Sequence, residues 1–186
     1  MKQAHDRPMT AVIRRADNRD AIALSRLAET TFRETFVDGF GIPYPPRDLA
    51  VFLTGACSPR AFEVMAEHPQ MAVWIAEAGD TPVAYATAGA CVLPHSEVRP
   101  WHGELKRLYV AKSHQGKGLG RSLLQTALDW LEATRGPVLW VGVWSENLRA
   151  QELYRSVGFE KVGDYDFPVG PYLDREFIMR RGEEED

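Results

Sequence analysis

Cysteine is scarce in this 186-residue sequence: there are only two, Cys57 and Cys91. No spacing links them to each other or to histidines. That count excludes a disulfide framework and a cysteine-based zinc site, and leaves buried free thiols as the reading of both. Long apolar runs are lacking as well, since none approaches the ~18 residues that a membrane-spanning helix requires. Residues 1–9 are polar and hold no apolar core of signal-peptide length, so they read as a flexible lead-in to a cytoplasmic protein. Basic excess is also missing. Twenty-two Lys and Arg stand against 26 Asp and Glu, a net charge of -4. This argues against nucleic acid as a partner, because phosphate binding needs a basic stripe, and suits a cationic small molecule better. What remains is average: 45% hydrophobic and 26% charged residues mark a globular chain rather than a disordered one. No repeat or low-complexity linker divides residues 10–181, which read as one domain before an acidic tail over 182–186.

Periodicity orders the chain. A short β-branched segment, Ala11 to Arg14, precedes a cap at Asp17 or Asn18. Apolar residues at helical spacing predict a helix over 19–37, broken by Gly39, Gly41, Pro43, Pro45 and Pro46. Leu49 to Leu53 and Ala61 to Ala66 read as short helices. Met71 to Ala78 and Val83 to Leu93 read as two arms of a hairpin around Gly79-Asp80. A loop over 94–103 leads to a strand from Leu105 to Ala111. Leu119, Leu123, Leu124, Ala127, Leu128 and Leu131 form a helical stripe that Gly136-Pro137 ends. Val138 to Trp144 is apolar enough to be buried on both faces. Asn147 opens a helix that ends at Gly158, and Phe159 to Phe167 and Leu173 to Met179 close the chain as a strand pair. The resulting β-α-α-β-β-β-α-β-α-β-β order is mixed α/β, with too many hairpins for a doubly wound sheet.

The most informative stretch is Glu104 to Trp130, ELKRLYVAKSHQGKGLGRSLLQTALDW. Gly116, Gly118 and Gly120 lie between a strand and a helix, where backbone without Cβ atoms admits a phosphate to the helix N-terminus. Lys117 and Arg121 add charge at the same corner. A P-loop is excluded, because no Ser or Thr follows Lys117, and the G-x-G-x-x-G spacing is absent. Gln115-Gly116-Lys117-Gly118-Leu119-Gly120 resembles the Q/R-x-x-G-x-G/A signature of the GNAT superfamily of N-acetyltransferases. Leu108-Tyr109-Val110, the strand Trp140 to Trp144, Asn147 and the segment Ala150 to Phe159 extend the resemblance over roughly residues 11–181. Thr31 to Phe36, Gly142-Val143-Trp144 and Phe177-Ile178-Met179 narrow it toward bacterial polyamine acetyltransferases of the PaiA type.

The resemblance implies a GNAT fold: a mixed, mostly antiparallel sheet of six to seven strands, flanked by about four helices, with central strands splayed for acetyl-CoA. It implies an acetyl-CoA-dependent enzyme, without a metal, that acetylates a primary amine by direct attack on the thioester. The acceptor is read as a small cationic amine or polyamine, and the chain as a monomer or homodimer. A protein N-terminal or lysine acetyltransferase and a non-catalytic CoA-binding protein stand as alternatives. The pyrophosphate would sit on the turn Gln115, Gly116, Lys117, Gly118, Leu119, Gly120 and Arg121. Main-chain groups of Leu108, Tyr109 and Val110 would hold the pantetheine and acetyl carbonyl, with Asn147 and Tyr154 beside them.

Individual residues carry two readings each. Asn147 is also a good helix cap. Tyr154 is either a packed core tyrosine or the acid beside the departing thiolate, and the second is favoured. Glu104 shares the parity of Leu108 and Val110 on an ideal strand, so it is either the base that draws a proton from the amine or an ordinary solvated carboxylate. A bulge in that strand would upset the parity. Glu34, Asp38 and Tyr44 would overhang the acceptor side, although surface charge explains each one singly. His95 and His102 read as solvated loop histidines, Trp140 and Trp144 as core, and Trp101 as either lid or packing.

Overall fold

The computed structural model describes residues 11–183. The expectations for residues 1–9 and for 184–186 of the tail lie outside the described residues. Seven strands form one sheet in the order β1-β2-β3-β4-β5-β7-β6. They are β1 (Val12–Arg15), β2 (Ala72–Ala78), β3 (Thr81–Ala90), β4 (Gly103–Val110), β5 (Leu139–Trp144), β6 (Glu160–Val169) and β7 (Tyr172–Arg181). Every neighbouring pair is antiparallel except β4 and β5. Five α-helices are described: α1 (Ala21–Phe32), α2 (Pro46–Ala56), α3 (Pro59–Glu67), α4 (Leu119–Arg135) and α5 (Leu148–Arg155).

Side-chain size decides which helix covers which face. In β3, Ala84, Ala86 and Ala88 point one way and are fully buried. Their small volume lets α4 lie close, with Leu123, Leu124, Leu128 and Leu131 inserted against them. Each of these leucines has 0% exposure, and burial of a leucine is worth about 1.5–3 kcal/mol. Tyr85, Val73 and Ile75 point the other way and meet Leu24, Leu27, Phe32 and Phe62 of α1 and α3. Residues 46–67 are apolar and long enough to resemble a membrane span. They are two helices parted at Cys57-Ser58, with Pro59 starting the second, and Leu49, Leu53 and Phe62 turn into this core.

The helix expected over 19–37 is not uniform. Asp17 caps a 3₁₀ turn, Asn18–Asp20. Beyond Phe32, α1 widens into a π turn over Arg33–Val37, in which Asp38 N–H donates to Arg33 O at 2.9 Å. A bulge is present in β4. Thr87 pairs with Arg107 but Ala88 pairs with Leu105, so Lys106 is the extra residue. Glu104 therefore does not share the parity of Leu108 and Val110 that an ideal strand would require. The bulge puts Glu104 on the face of Arg107 and Tyr109, opposite to Leu108 and Val110, which pack on the α4 side.

Candidate active site

The site begins where β4 and β5 part. Their parallel pairing covers only Gly103↔Leu139, Glu104↔Trp140 and Leu105↔Val141. Beyond Leu105 the facing edge of β4 has no strand partner among the described residues, and a cleft opens. Two cavities occupy it and meet at Leu108, Tyr109, Asn147, Ala150 and Tyr154.

The outer cavity, about 700 Å³, runs over the glycine-rich turn. Gly116 and Gly118 have φ of +76° and +82°, and a Cβ on either would meet nothing within 4 Å. Their backbone is bare toward the cavity, and Gly118 caps α4 without a side chain. The N–H groups of the first turn of α4 are free of helical partners and carry the positive dipole end. Gln115 closes the turn: its Nε2 donates to Val110 O at 2.9 Å and its Oε1 accepts from Arg149 Nη1 at 2.9 Å. Arg121 Nη2 reaches Ser156 Oγ at 2.9 Å, joining α4 to the end of α5. Lys112, Arg121 and Arg149 make the cationic rim. Lys117 donates to Ser113 O at 3.3 Å, and neither it nor Leu119 lines the cavity. Asn147 is the cap of α5, accepting from Ala150 N–H at 3.1 Å, and its side of the cleft continues inward to Tyr154.

The inner cavity, about 330 Å³, is roofed by Phe32, Phe36 and Phe52 and floored by the sheet. Three carboxylates line it: Glu104, Asp174 and Glu176. Glu104 is buried and tied, accepting from Val92 N–H at 2.8 Å and from Lys106 Nζ at 2.9 Å. Asp174 accepts from the Tyr44 hydroxyl, and burial raises its pKa. Glu176 accepts from the Tyr165 hydroxyl. Burial, with Asp174 and Glu104 nearby, pushes its pKa up to about 7 against the Tyr165 hydrogen bond. Tyr154 is 6% exposed and sits edge-on to Phe159. Burial and then Glu176 push its phenol well above the usual tyrosine range, so it keeps its proton at neutral pH. Thr87 also lines the chamber, and its hydroxyl is buried with no hydrogen-bond partner.

Other expected residues fall differently. Glu34 lines the outer cavity, where its Oε2 accepts from Lys112 N–H at 2.9 Å. Asp38 is exposed and lines neither cavity. Tyr44 is buried behind Asp174. His102 is not solvated: it is buried against Trp140, whose Nε1 donates to its Nδ1 at 2.9 Å. His95 is half-buried, 5.1 Å from the same indole. Trp101 is 59% exposed and lines neither cavity, whereas Trp144 lines the inner one. Both cysteines are free and buried. Sequence reasoning missed Thr87, Tyr165, Asp174, Glu176 and Arg149. One signal was available, because Gly142 interrupts a run of bulky strand residues. A Cβ there would lie 2.8 Å from Tyr165 Oη and 2.9 Å from Glu176 Oε2.

A mostly antiparallel sheet whose one parallel pair splays beside a glycine-capped helix is thus the frame of the site. The match is explicit: residues 30–159 fit the model of the acetyltransferase (GNAT) family, and the chain belongs to that family. It is an N-acetyltransferase with acetyl-CoA as co-substrate. An uncharacterized N-acetyltransferase of Lactobacillus delbrueckii subsp. lactis is 28% identical over 149 residues, 80% of this chain and 86% of that one. The N-alpha-acetyltransferase RimI of Mycobacterium tuberculosis is 38% identical over 47% of this chain and 51% of its own. A probable spermine N(1)-acetyltransferase of Bacillus subtilis subsp. natto is 33% identical over 34% of this chain and 42% of its own. Among solved structures, the PaiA N-acetyltransferase of Thermoplasma acidophilum, crystallised with coenzyme A, shares the fold. Its TM-score is 0.72 at 19% identity, covering 94% of this chain and all of that one.

Proposed function

We propose that the enzyme acetylates a primary amine on a small cationic molecule of the polyamine class, seated in the inner cavity. The observation that carries this reading is the lining. Three carboxylates face a chamber of about 330 Å³ walled by aromatic rings, among them Phe36, Trp144 and Tyr165. The two cations that share the wall are engaged, Lys106 with Glu104 and Arg107 with Ala56 O at 2.8 Å. An ammonium group gains from such a field and from ring faces.

Acetyl-CoA supplies an acetyl group already activated as a thioester. In this reading the bare backbone of Gly116 and Gly118, with Gly120 and Arg121, holds its pyrophosphate, and Lys117 adds charge nearby. The main chain of Leu108, Tyr109 and Val110 lines the unpaired edge of β4, where strand N–H groups steady the developing oxyanion. Asn147 fixes the start of α5, and Tyr154 on that helix donates a proton to the departing sulfur. Glu104, held by two donors, contributes to the negative field that draws the amine in.

A panel of spermidine, spermine, amino acids and N-terminal peptides, followed by thiol release, tests the acceptor. Turnover is expected for the polyamines, with KM rising as salt screens the carboxylates. Turnover confined to peptides would overturn the reading in favour of a RimI-like acceptor. Turnover confined to uncharged amines would overturn it outright.

A further inference from the structure

We propose that Glu176 of β7 is the base that takes the acceptor amine's proton, and that Tyr165 of β6 tunes it. This rests on the amine-acetyltransferase reading above. Gly142 is the first residue of β5 beyond the last parallel pair, Leu105↔Val141. Glu176 Oε2 lies directly over it, 2.9 Å from where a Cβ would stand. The carboxylate therefore overhangs the point at which the central strands part, in the same chamber as the Tyr154 phenol. A residue with any side chain at position 142 would displace it.

Partners separate Glu176 from Glu104. Glu104 is ion-paired with Lys106 and bound to Val92 N–H. Glu176 pairs with no cation among the described residues, and the groups that act on it directly are carboxylates and a phenol. Tyr165 donates to it from β6, and Asp174 stands beside it on β7 with Tyr44 behind. Glu104, with its partner Lys106, and Tyr109 face it from β4, and Tyr154 faces it from α5. A carboxylate poised near neutrality is matched to proton transfer at working pH. Desolvation of an ammonium in the same chamber lowers the amine's own pKa toward it.

The step balances. The ammonium gives one proton to Glu176 Oε2, and the freed lone pair forms the C–N bond as the C–S bond breaks. Tyr154 passes its proton to sulfur and is restored by the second proton of the nitrogen. Glu176 returns its proton to water when product leaves, so one proton is released per turnover.

The test is the pH profile of kcat/KM with whichever panel amine the wild type turns over fastest. The wild type is expected to lose activity on the acid side with an apparent pKa near 7. Glu176→Gln should lower kcat by about 10²–10⁴-fold and abolish that limb, with acetyl-CoA affinity by calorimetry within about threefold. Tyr165→Phe removes a donor to the carboxylate, so the limb should move to higher pH. Glu104→Gln removes a neighbouring negative charge, so it should move lower. A structural role would not displace one limb in opposite directions. The assignment is overturned by a Glu176→Gln enzyme that keeps the limb and kcat within about tenfold, or by an unmoved limb in Tyr165→Phe. Loss of the limb in Glu104→Gln would hand the role to Glu104. Absence of turnover with every amine would overturn the acceptor reading as well, and wild-type enzyme alone reveals it.

Discussion

A half-buried carboxylate with no counter-ion among the described residues should burden the fold, and Glu176 allows the burden to be sized. Its pKa rises from 4.5 in the unfolded chain to about 7 in the folded one. The folded state thus prefers the protonated form. The stabilisation this brings is fully present below pH 4.5 and is lost as pH rises through about 7, because the unfolded chain ionises first. At about 1.4 kcal/mol per tenfold change in proton affinity, the loss approaches about 3 kcal/mol by pH 8. Glu176→Gln deletes the ionisation while its amide oxygen still accepts from Tyr165, and its amide N–H faces the open chamber. The variant should therefore be more stable than the wild type at pH 8 and close to it at pH 4. At about 2–4 °C per kcal/mol for a chain of this size, the melting temperature at pH 8 should rise by about 6–12 °C. Paired thermal melts across pH 4–8 measure this. A variant no more stable than wild type at pH 8, or a gap that does not shrink toward pH 4, would refute the reasoning.

Tyr154→Phe keeps the ring on Phe159 and removes only the phenol proton. It should lower kcat by about 10²–10⁴-fold, with acetyl-CoA affinity changed less than tenfold, and less so for a thioester of a more acidic thiol. Gly118→Val puts a branched side chain at φ +82° on the turn. Calorimetry should show acetyl-CoA binding at least tenfold weaker, about 1.4 kcal/mol. Thr87→Val replaces a buried hydroxyl that has no partner. Because such a group costs about 1–3 kcal/mol, urea unfolding should show a gain in stability, while KM for the amine rises if the acceptor uses that hydroxyl.

Legibility in the sequence followed interaction range. The α4 stripe from Leu119 to Leu131 repeats at helical spacing, and its stop at Gly136-Pro137 coincides with the end of the helix at Arg135. Gln115 to Gly120 is a local motif, so the turn between strand and helix could be read without its surroundings. The inner chamber is different. Asp174, Glu176 and Tyr165 lie on a hairpin whose alternation reads as an ordinary half-exposed strand pair. Only the insertion of β7 between β5 and β6 brings them under Phe36. Such pairing is long-range and leaves no periodic mark. The parity error at Glu104 has the same origin, since one bulged residue, Lys106, reverses the faces on either side of it.

The π turn at Arg33–Val37 amounts to one residue spliced into the end of α1. It swings the chain so that Glu34 reaches Lys112 N–H on the outer cleft while Phe36 and Phe40 lean on Trp144 at 6.3 and 4.3 Å. Both cavities thus share one wall whose register a single insertion sets. Removing one residue there would restore α-helical winding, turning everything after the deletion by about 100° without touching the sheet. The inner cavity and the wall of the outer one would be re-cut together, with the seven strands left in place.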